Sequence, residues 1–305
     1  MNMKYVAAIV GVLVIGGLGY VFFGHKPASA PENKLSVVAS FYPMYFFASQ
    51  IGGDRANVTN VTPSGGEPHD YEPTPQDVAK IGSAELVVLN GGGLEAWGDS
   101  VKQNIDPQKT VLVTAGEGLT TRQVVEDGEN ITDPHVWLSP VLAEQIADKI
   151  EQGYAKADPA NADYYAKNAS GLKARLASLD TDYKQGLASC KSKDIITSHA
   201  AFGYLGAAYG LNQVAISGLS PEEEPSPKQL ADIADFAKKN NVKYIFFESL
   251  VSPKLSQTIA TEVGAQTLVL DPIEGIGSDE MAEGANYFSV MESNLANLRI
   301  ALQCN

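Results

Sequence analysis

The fold of this chain is indicated by the stretch Leu35-Ser36-Val37-Val38-Ala39-Ser40-Phe41-Tyr42-Pro43. An apolar run that passes through a serine into a helical pattern is typical of a buried strand followed by a helix. The same pattern recurs at Ile195-Ile196-Thr197-Ser198-His199-Ala200-Ala201-Phe202, where Ser198 follows Ser40 by 158 positions. This repeat predicts that the chain contains one structural unit twice.

Two further pairs of predicted strands keep nearly the same spacing. Leu86 to Asn90 corresponds to Tyr244 to Glu248 at 158 positions, and Val111 to Thr114 corresponds to Leu268 to Asp271 at 157. In each half a helix is predicted to begin at a hydroxyl residue followed by proline, at Thr74-Pro75 and at Ser226-Pro227. Strands that alternate with helices form parallel sheets. We therefore predict an α/β protein with two lobes.

One long helix is predicted between the two repeats, because apolar residues recur at threes and fours from Pro159 to Ala188. At 1.5 Å per residue this helix would be about 40 Å long. The predicted organisation is an N-terminal segment at 1–34, a first lobe at 35–158, a rigid connecting helix at 159–188 and a second lobe at 189–305. A small ligand is expected in the cleft between the lobes.

The N-terminal segment is predicted to direct the protein across a membrane. Tyr5 to Phe23 contains no charged residue, follows Lys4, and as a helix would span about 28 Å, which is enough to cross a bilayer. Ala28-Ser29-Ala30 has the form of a signal-peptide cleavage site. A retained anchor and a cleaved signal peptide both remain open, and either places the body of the protein on the periplasmic or extracellular side.

The composition indicates a folded, acidic protein, with 44% apolar and 19% charged residues among 305. Residues 1–30 contain Lys4 and Lys26 and no acid, so the remainder has 20 basic and 36 acidic residues, a net charge of −16. This charge argues against nucleic acid and anionic lipid surfaces as partners and fits a cationic ligand. Cys190 and Cys304 are expected to form one disulfide in an oxidising compartment.

Four side chains are predicted to meet at the cleft, because loops at the carboxyl ends of the strands carry them: His69, His135, His199 and Asp271. Taken alone, a loop histidine commonly bonds a carbonyl oxygen, and Asp271 before Pro272 can simply begin a turn. Together, three imidazoles and one carboxylate suit tetrahedral Zn²⁺, whereas Ca²⁺ and Mg²⁺ prefer oxygen ligands.

Two further acids are candidate accessory residues. Glu67 lies two positions before His69, and Glu248 ends the predicted strand that corresponds to Leu86 to Asn90. Glu67 could substitute as a ligand or accept a hydrogen bond that fixes a histidine tautomer, although a solvated loop acid is the favoured interpretation, and Glu248 could orient a histidine. Pro134 and Pro140 flank His135, so its loop is predicted to be stiff.

Three sequence blocks resemble the zinc- and manganese-binding substrate-binding proteins of ABC transporters, the ZnuA/TroA-like family: Gly66-Glu67-Pro68-His69-Asp70-Tyr71-Glu72-Pro73, Asp133-Pro134-His135-Val136-Trp137-Leu138 and Thr197-Ser198-His199-Ala200-Ala201-Phe202. Asp271-Pro272, Leu94 to Trp97 and Phe247 to Lys254 add to this similarity, which covers residues 35–305. The resemblance implies a metal held between two α/β lobes and delivered to a membrane permease. It also implies His69, His135, His199 and a carboxylate at Asp271 as ligands.

The chain departs from the family pattern in two places. Thr121 to Thr132 is short, acidic and free of histidine, whereas zinc-binding members often carry a histidine-rich insertion there. Manganese-binding members commonly have a carboxylate as third ligand, so His199 favours zinc, and a manganese- or iron-binding member of the same family remains the alternative. We predict a monomeric zinc-binding protein without enzymatic activity. A secreted zinc hydrolase is the alternative from another class, although the sequence has no H-E-x-x-H or G-x-S-x-G motif, and an adhesin-like protein with structural metal also remains open.

Overall fold

Short apolar segments of the first half pair into a parallel sheet, and every residue of its strand Leu86–Leu89 is buried. The computed structural model describes residues 34–126 and 128–305. The strands of the first sheet run in the order β2-β1-β3-β4. Their bounds are Leu35–Ala39 (β1), Ala56–Asn60 (β2), Leu86–Leu89 (β3) and Val111–Thr114 (β4), and the helices of this half are Tyr42–Gly52 (α1), Pro75–Ser83 (α2), Gly98–Asn104 (α3) and Pro140–Ala157 (α4).

The second half repeats this arrangement. Its strands are Asp194–Thr197 (β7), Asn212–Ala215 (β8), Tyr244–Phe247 (β9) and Gln266–Val269 (β10), all parallel in the order β8-β7-β9-β10. Its helices are Gly203–Tyr209 (α6), Pro227–Lys239 (α7), Lys254–Val263 (α8), Ser278–Ala282 (α9) and Tyr287–Ala301 (α10). The predicted α/β fold with duplicated parallel sheets is therefore confirmed. The strand predicted to end at Asp271 ends two residues earlier, at Val269.

The helix that joins the halves is α5, Ala162–Gly186. The first residues of the predicted 159–188 helix form instead a 3₁₀ turn, Pro159–Asn161. One face of α5 is buried through Tyr165, Leu172, Leu176, Leu179 and Tyr183. Residues 35–305 form one compact unit, and its main core runs from α1 to α10, where Phe47 packs edge-on against Tyr287 at 4.9 Å between ring centres. The lobe boundaries at 158 and 189 stay predictions.

The equivalent helices α2 and α7 begin as predicted. Thr74 and Ser226 are the N-caps, and each precedes a proline at the first helical position. Each hydroxyl oxygen accepts from a backbone N–H three residues on, and the side chain of that residue, Asp77 or Gln229, accepts from the N-cap backbone N–H. These reciprocal bonds satisfy helix donors that would otherwise lack partners.

Two connections complete the fold. The predicted disulfide between Cys190 and Cys304 is confirmed, and it ties the end of the chain to the segment that follows α5. The short, acidic segment from Thr121 to Thr132 contains an antiparallel hairpin, which pairs Gln123–Glu126 (β5) with Glu129–Thr132 (β6). Glu126 on this hairpin accepts a hydrogen bond from the backbone N–H of Leu219 in the second half.

The predicted signal peptide or membrane anchor, Tyr5 to Phe23, lies outside the described residues. Within residues 34–126 and 128–305, no helix combines the length and the apolar character needed to cross a bilayer.

Candidate metal centre

His135 lies in a short buried segment between β6 and α4. Its N–H and its Nδ1 both contact Asp133 Oδ1, at 3.0 and 2.9 Å, and the carbonyl oxygen of Pro134 accepts a hydrogen bond from Asn90 Nδ2 at 3.0 Å. Ser139 occupies the N-cap position of α4 with extended backbone, but its side chain makes no capping bond. The contacts of Asp133 and Pro134, together with the proline at the start of α4, hold His135 in a defined position.

His199 is placed by the carboxyl end of β7. Its carbonyl oxygen accepts from Thr197 Oγ1 at 2.8 Å and from Gln213 Nε2 at 2.9 Å. The next residue, Ala200, donates its N–H to the carbonyl oxygen of Gly218. These bonds fix the backbone, while the imidazole is buried with its Nδ1 within 3.0 Å of Glu248 Oε1.

His69 comes from the loop between β2 and α2. Its backbone N–H donates to Glu67 Oε1 at 3.2 Å, so this acid closes a local turn around the histidine. The His69 side chain is only 10% exposed. Three histidines from three separate loops therefore meet at one place.

The carboxylate that meets these imidazoles is Glu274, in the loop that follows β10. Its Oε1 lies 3.2 Å from His69 Nε2, 3.1 Å from His135 Nε2 and 3.4 Å from His199 Nε2. Ligand atoms of all four residues lie within 4.8 Å of one another. Glu274 was not among the residues singled out in the sequence. The available signal was that it is the single acid between Asp271 and Asp279, in a segment of apolar residues and glycines.

Asp271 does not join this group, which corrects the sequence prediction. The Asp271 carboxylate accepts hydrogen bonds from Ser249 Oγ and, at 2.7 Å, from the Ile273 backbone N–H, so both oxygens are already engaged away from the imidazoles. Burial raises the pKa of the Asp271 carboxyl to about 6, although these bonds lower it. The physical reason for the difference is that β10 ends early and a turn at residues 271–273 carries Glu274 to the three imidazoles.

The accessory acids lie beside the histidines and outside the group of four. Glu248 faces His199 Nδ1, and Asp133 does the same for His135 Nδ1. Glu67 contacts only the backbone of His69 through Oε1, and its other oxygen is buried without a hydrogen-bond partner among the described residues. Carboxylates on the Nδ1 atoms of His135 and His199 leave the Nε2 atoms of these two residues to face Glu274, which is the arrangement by which outer acids orient metal-binding imidazoles.

Carboxylates surround the imidazoles and determine the electrostatics of the site. Burial would lower the pKa of His135 and of His199, but Asp133 and Glu274 raise the first above its ordinary value, and Glu248 and Glu274 raise the second well above it. Burial would raise the pKa of Glu274, yet the three imidazoles hold it well below its usual range. Burial, followed by the charge of Glu274, raises the pKa of Glu67 to about 8. The same negative charge would attract a divalent cation.

Four of the six distances between the ligand atoms fit a small tetrahedral ion, and all six are within 4.8 Å. With metal–nitrogen bonds of about 2.0–2.1 Å, neighbouring ligand atoms of a tetrahedral zinc site are about 3.3 Å apart. The three distances to Glu274 Oε1 and the 3.4 Å between His135 Nε2 and His199 Nε2 all lie near this value. The second oxygen of Glu274 is buried and, within the described part of the chain, has no hydrogen-bond partner. The donor set therefore fits Zn²⁺.

Comparison with known proteins agrees with this geometry. Residues 37–301 match the family described as zinc-uptake complex component A, periplasmic. The high-affinity zinc uptake system protein ZnuA of Bacillus subtilis is 42% identical over 286 residues, which cover 90% of each chain. The zinc-binding lipoprotein AdcA of Streptococcus pneumoniae is 40% identical over 279 residues, which cover 88% of this chain and 56% of that longer protein.

A solved structure of a zinc-bound relative is also similar to this chain. The Zn(II)-bound ZnuA-like domain of S. pneumoniae AdcA superposes with a TM-score of 0.76 at 40% identity, covering 88% of this chain and 99% of that one. The chain belongs to the zinc-uptake component A family. The resemblance seen in the sequence is thereby confirmed at the level of the family.

Proposed function

We propose that this protein captures Zn²⁺ outside the cytoplasm at His69, His135, His199 and Glu274 and delivers it to the permease of an ABC importer. The observation that carries the proposal is that four ligand atoms lie within 4.8 Å of one another, with Glu274 Oε1 3.1–3.4 Å from the Nε2 atom of each histidine. Membership of the zinc-uptake family supports both the ion and the extracytoplasmic location. We further propose that the protein acts as a monomer, with the permease as its macromolecular partner.

Zinc is the ion that the donor set favours. Three nitrogen donors and one carboxylate suit Zn²⁺ at four-coordinate geometry, while Mn²⁺ is better served by more oxygen ligands. His199 is the residue that separates the two cases, because a carboxylate at that position would supply an oxygen-rich set. The site is therefore proposed to bind zinc more tightly than manganese.

This geometry supports the binding of a metal ion rather than catalysis by it. A catalytic zinc site keeps a position for water, whereas Glu274 here lies against all three imidazoles and completes a set of four protein ligands. The group is also buried, with His135, His199 and Glu274 each at most 1% exposed. A closed site of this kind serves to hold an ion during transport.

Titration of the purified protein with Zn²⁺ in competition with a chromophoric chelator tests the proposal. We expect one zinc per chain in the wild type and a large loss of affinity in Glu274→Gln and in His135→Ala, because each removes one of four ligands. Glu283→Gln, at an exposed acid on the following segment, is the matched control and should bind as the wild type does. Tight zinc binding that neither ligand substitution weakens would refute the site.

The transport role has its own test. Cells of the source organism that lack this chain should accumulate less zinc under zinc limitation, and the wild-type chain should restore uptake while His135→Ala should not. Restoration by His135→Ala would show that zinc binding at this site is not what the importer uses.

A further inference from the structure

The loop that presents Glu274 contains a strained backbone position. Ile273, directly before Glu274, has φ of +61°, in the left-handed region that a β-branched residue rarely adopts. Its side chain is fully buried. A conformation of this kind persists only where neighbouring contacts hold it in place.

The contacts that hold the turn come from Asp271. The Ile273 N–H donates to Asp271 Oδ1 at 2.7 Å, and Ser249 Oγ donates to Asp271 Oδ2. The backbone of Asp271 is itself paired with the buried side chain of Asn294, through Asp271 N–H to Oδ1 at 2.9 Å and Asn294 Nδ2 to the Asp271 carbonyl at 2.7 Å. These bonds therefore hold the backbone of Asp271 in place, and its carboxylate in turn holds the backbone of the residues that follow.

The direction of the chain after Ile273 decides where Glu274 lies. With an extended backbone at Ile273, the path of the following residue would change, and its carboxylate would leave the three imidazoles. An aspartate that bonds a backbone N–H two residues on is a common way to stabilise a turn. Here that turn is what brings Glu274 Oε1 within 3.4 Å of each imidazole Nε2.

We propose that Asp271 is a positioning residue of the site, whose carboxylate holds the left-handed turn at Ile273 and so aims Glu274 at the histidines. This inference rests on the proposed function, since it requires Glu274 to be a zinc ligand. The network continues through Ser249 to the adjacent Glu248, which contacts His199 Nδ1. Asp271 thus links the orientation of Glu274 to that of a second ligand.

Zinc affinity of two Asp271 variants tests this role. Asp271→Ala removes the acceptor for the Ile273 N–H, and we expect zinc affinity to fall about 10- to 100-fold, as for other residues that orient metal ligands. Asp271→Asn keeps an oxygen that can accept this bond, so it should restore most of the affinity. The visible spectrum of bound Co²⁺, which reports the coordination of the ion, should change in Asp271→Ala and resemble the wild type in Asp271→Asn.

The same substitution made in an Ile273→Gly protein distinguishes a positioning role of Asp271 from general destabilisation of the fold. Glycine adopts positive φ without steric cost, so in Ile273→Gly the turn needs less support. Asp271→Ala should therefore lose less affinity in the Ile273→Gly background than in the wild type, with affinities measured on protein shown to be folded by circular dichroism. If Asp271→Ala folds only in the Ile273→Gly background, a small loss there is expected, and a large one overturns the proposal.

The outcomes distinguish this inference from the proposed function. A wild type that binds no zinc refutes the function itself. A wild type that binds zinc, with Asp271→Ala showing equal affinity and an unchanged Co²⁺ spectrum, refutes only the positioning role. Equal losses in the two backgrounds would show that Asp271 does not act through Ile273.

Discussion

The indole Nε1–H of Trp137 donates a hydrogen bond of 2.8 Å to the carbonyl oxygen of Pro272, 135 residues further along the chain. Trp137 follows His135 by two residues, and Pro272 precedes Glu274 by two. The bond therefore joins the two loops whose side chains approach to 3.1 Å in the site. Trp137 and Pro272 are both buried, so this hydrogen bond is shielded from water. The bond thus helps to hold two proposed ligand groups from opposite halves of the chain close together, which lowers the ordering cost of binding.

Trp137→Phe should weaken both the fold and the site. Phenylalanine keeps much of the ring packing but removes the donor, which leaves the buried Pro272 carbonyl oxygen without a partner. We therefore expect the free energy of unfolding to fall by about 1–3 kcal/mol. Zinc affinity should also fall, because the loops of His135 and Glu274 lose a direct link. Denaturant unfolding of the metal-free protein and zinc titration measure the two effects.

The second tryptophan supplies the control for this experiment. Trp97 is partly buried on the first half of the chain, in a cluster separate from the core that contains Trp137. Trp97→Phe makes the same chemical change there and should leave zinc affinity unaltered. Equal losses of zinc affinity in the two variants would contradict a specific role for the Trp137–Pro272 bond.

Asp133 is expected to contribute to zinc affinity without touching the ion. Its Oδ1 lies 2.9 Å from His135 Nδ1, and the carboxylate is buried. Asp133→Asn keeps an acceptor for that ring nitrogen and removes the charge that makes the imidazole a better donor to a metal. We expect affinity to fall about 10- to 100-fold by chelator competition. Asp99→Asn, at an exposed acid, should have no effect, and a wild-type affinity in Asp133→Asn would show that the charge is unimportant.

Much of this site could be predicted from the sequence because local patterns determine it. The strand ends at Ala39, Leu89, Thr197 and Phe247 follow from apolar runs that stop at polar residues, and parallel strands bring their carboxyl ends to one edge. Thr74-Pro75 and Ser226-Pro227 mark helix starts for local reasons as well. His69, His135 and His199 lie in loops at these ends. The predicted order of strands and helices was therefore enough to bring them close together.

The fourth carboxylate could not be located in the same way. Counting from an apolar strand points to Asp271, whereas Glu274 reaches the cleft only because Ile273 adopts a backbone conformation that its own side chain disfavours. The contacts that impose this conformation come from Ser249, Asn294 and Trp137, distant in the chain. Tertiary bonds that override a local preference leave no periodic signal in the sequence.

The matched helix caps allow the duplicated fold to be tested in each half. Thr74→Ala and Ser226→Ala should each lower the free energy of unfolding by about 1 kcal/mol, since each leaves N-terminal helix donors unsatisfied. The two losses should add in the double variant, because the caps share no partner. Thr261→Ala is the control, since its Oγ1 bonds back to Gln257 within α8 and caps nothing; a loss there as large as at Thr74 would argue against capping as the cause.

The pH dependence of zinc binding follows from the charges in the metal-free site. The pKa values of His135 and His199 lie above the ordinary histidine value of 6.5, mainly because Asp133, Glu248 and Glu274 outweigh burial. Zinc requires neutral imidazole, so binding must displace these protons. Below the raised pKa values affinity should therefore fall as pH falls, by up to about tenfold per pH unit for each proton displaced, and above them it should level off.

Calorimetric titration in buffers of different ionisation enthalpy counts the protons released and so checks this dependence directly. Glu248→Gln provides the internal comparison, because it removes one charge that raises the pKa of His199 while leaving the four ligands in place. In that variant the range over which affinity depends on pH should move to lower pH, even though affinity at high pH is reduced by the loss of the orienting charge. Release of no protons near neutral pH, or the same pH profile in the two proteins, would show that the surrounding acids do not keep the histidines protonated there.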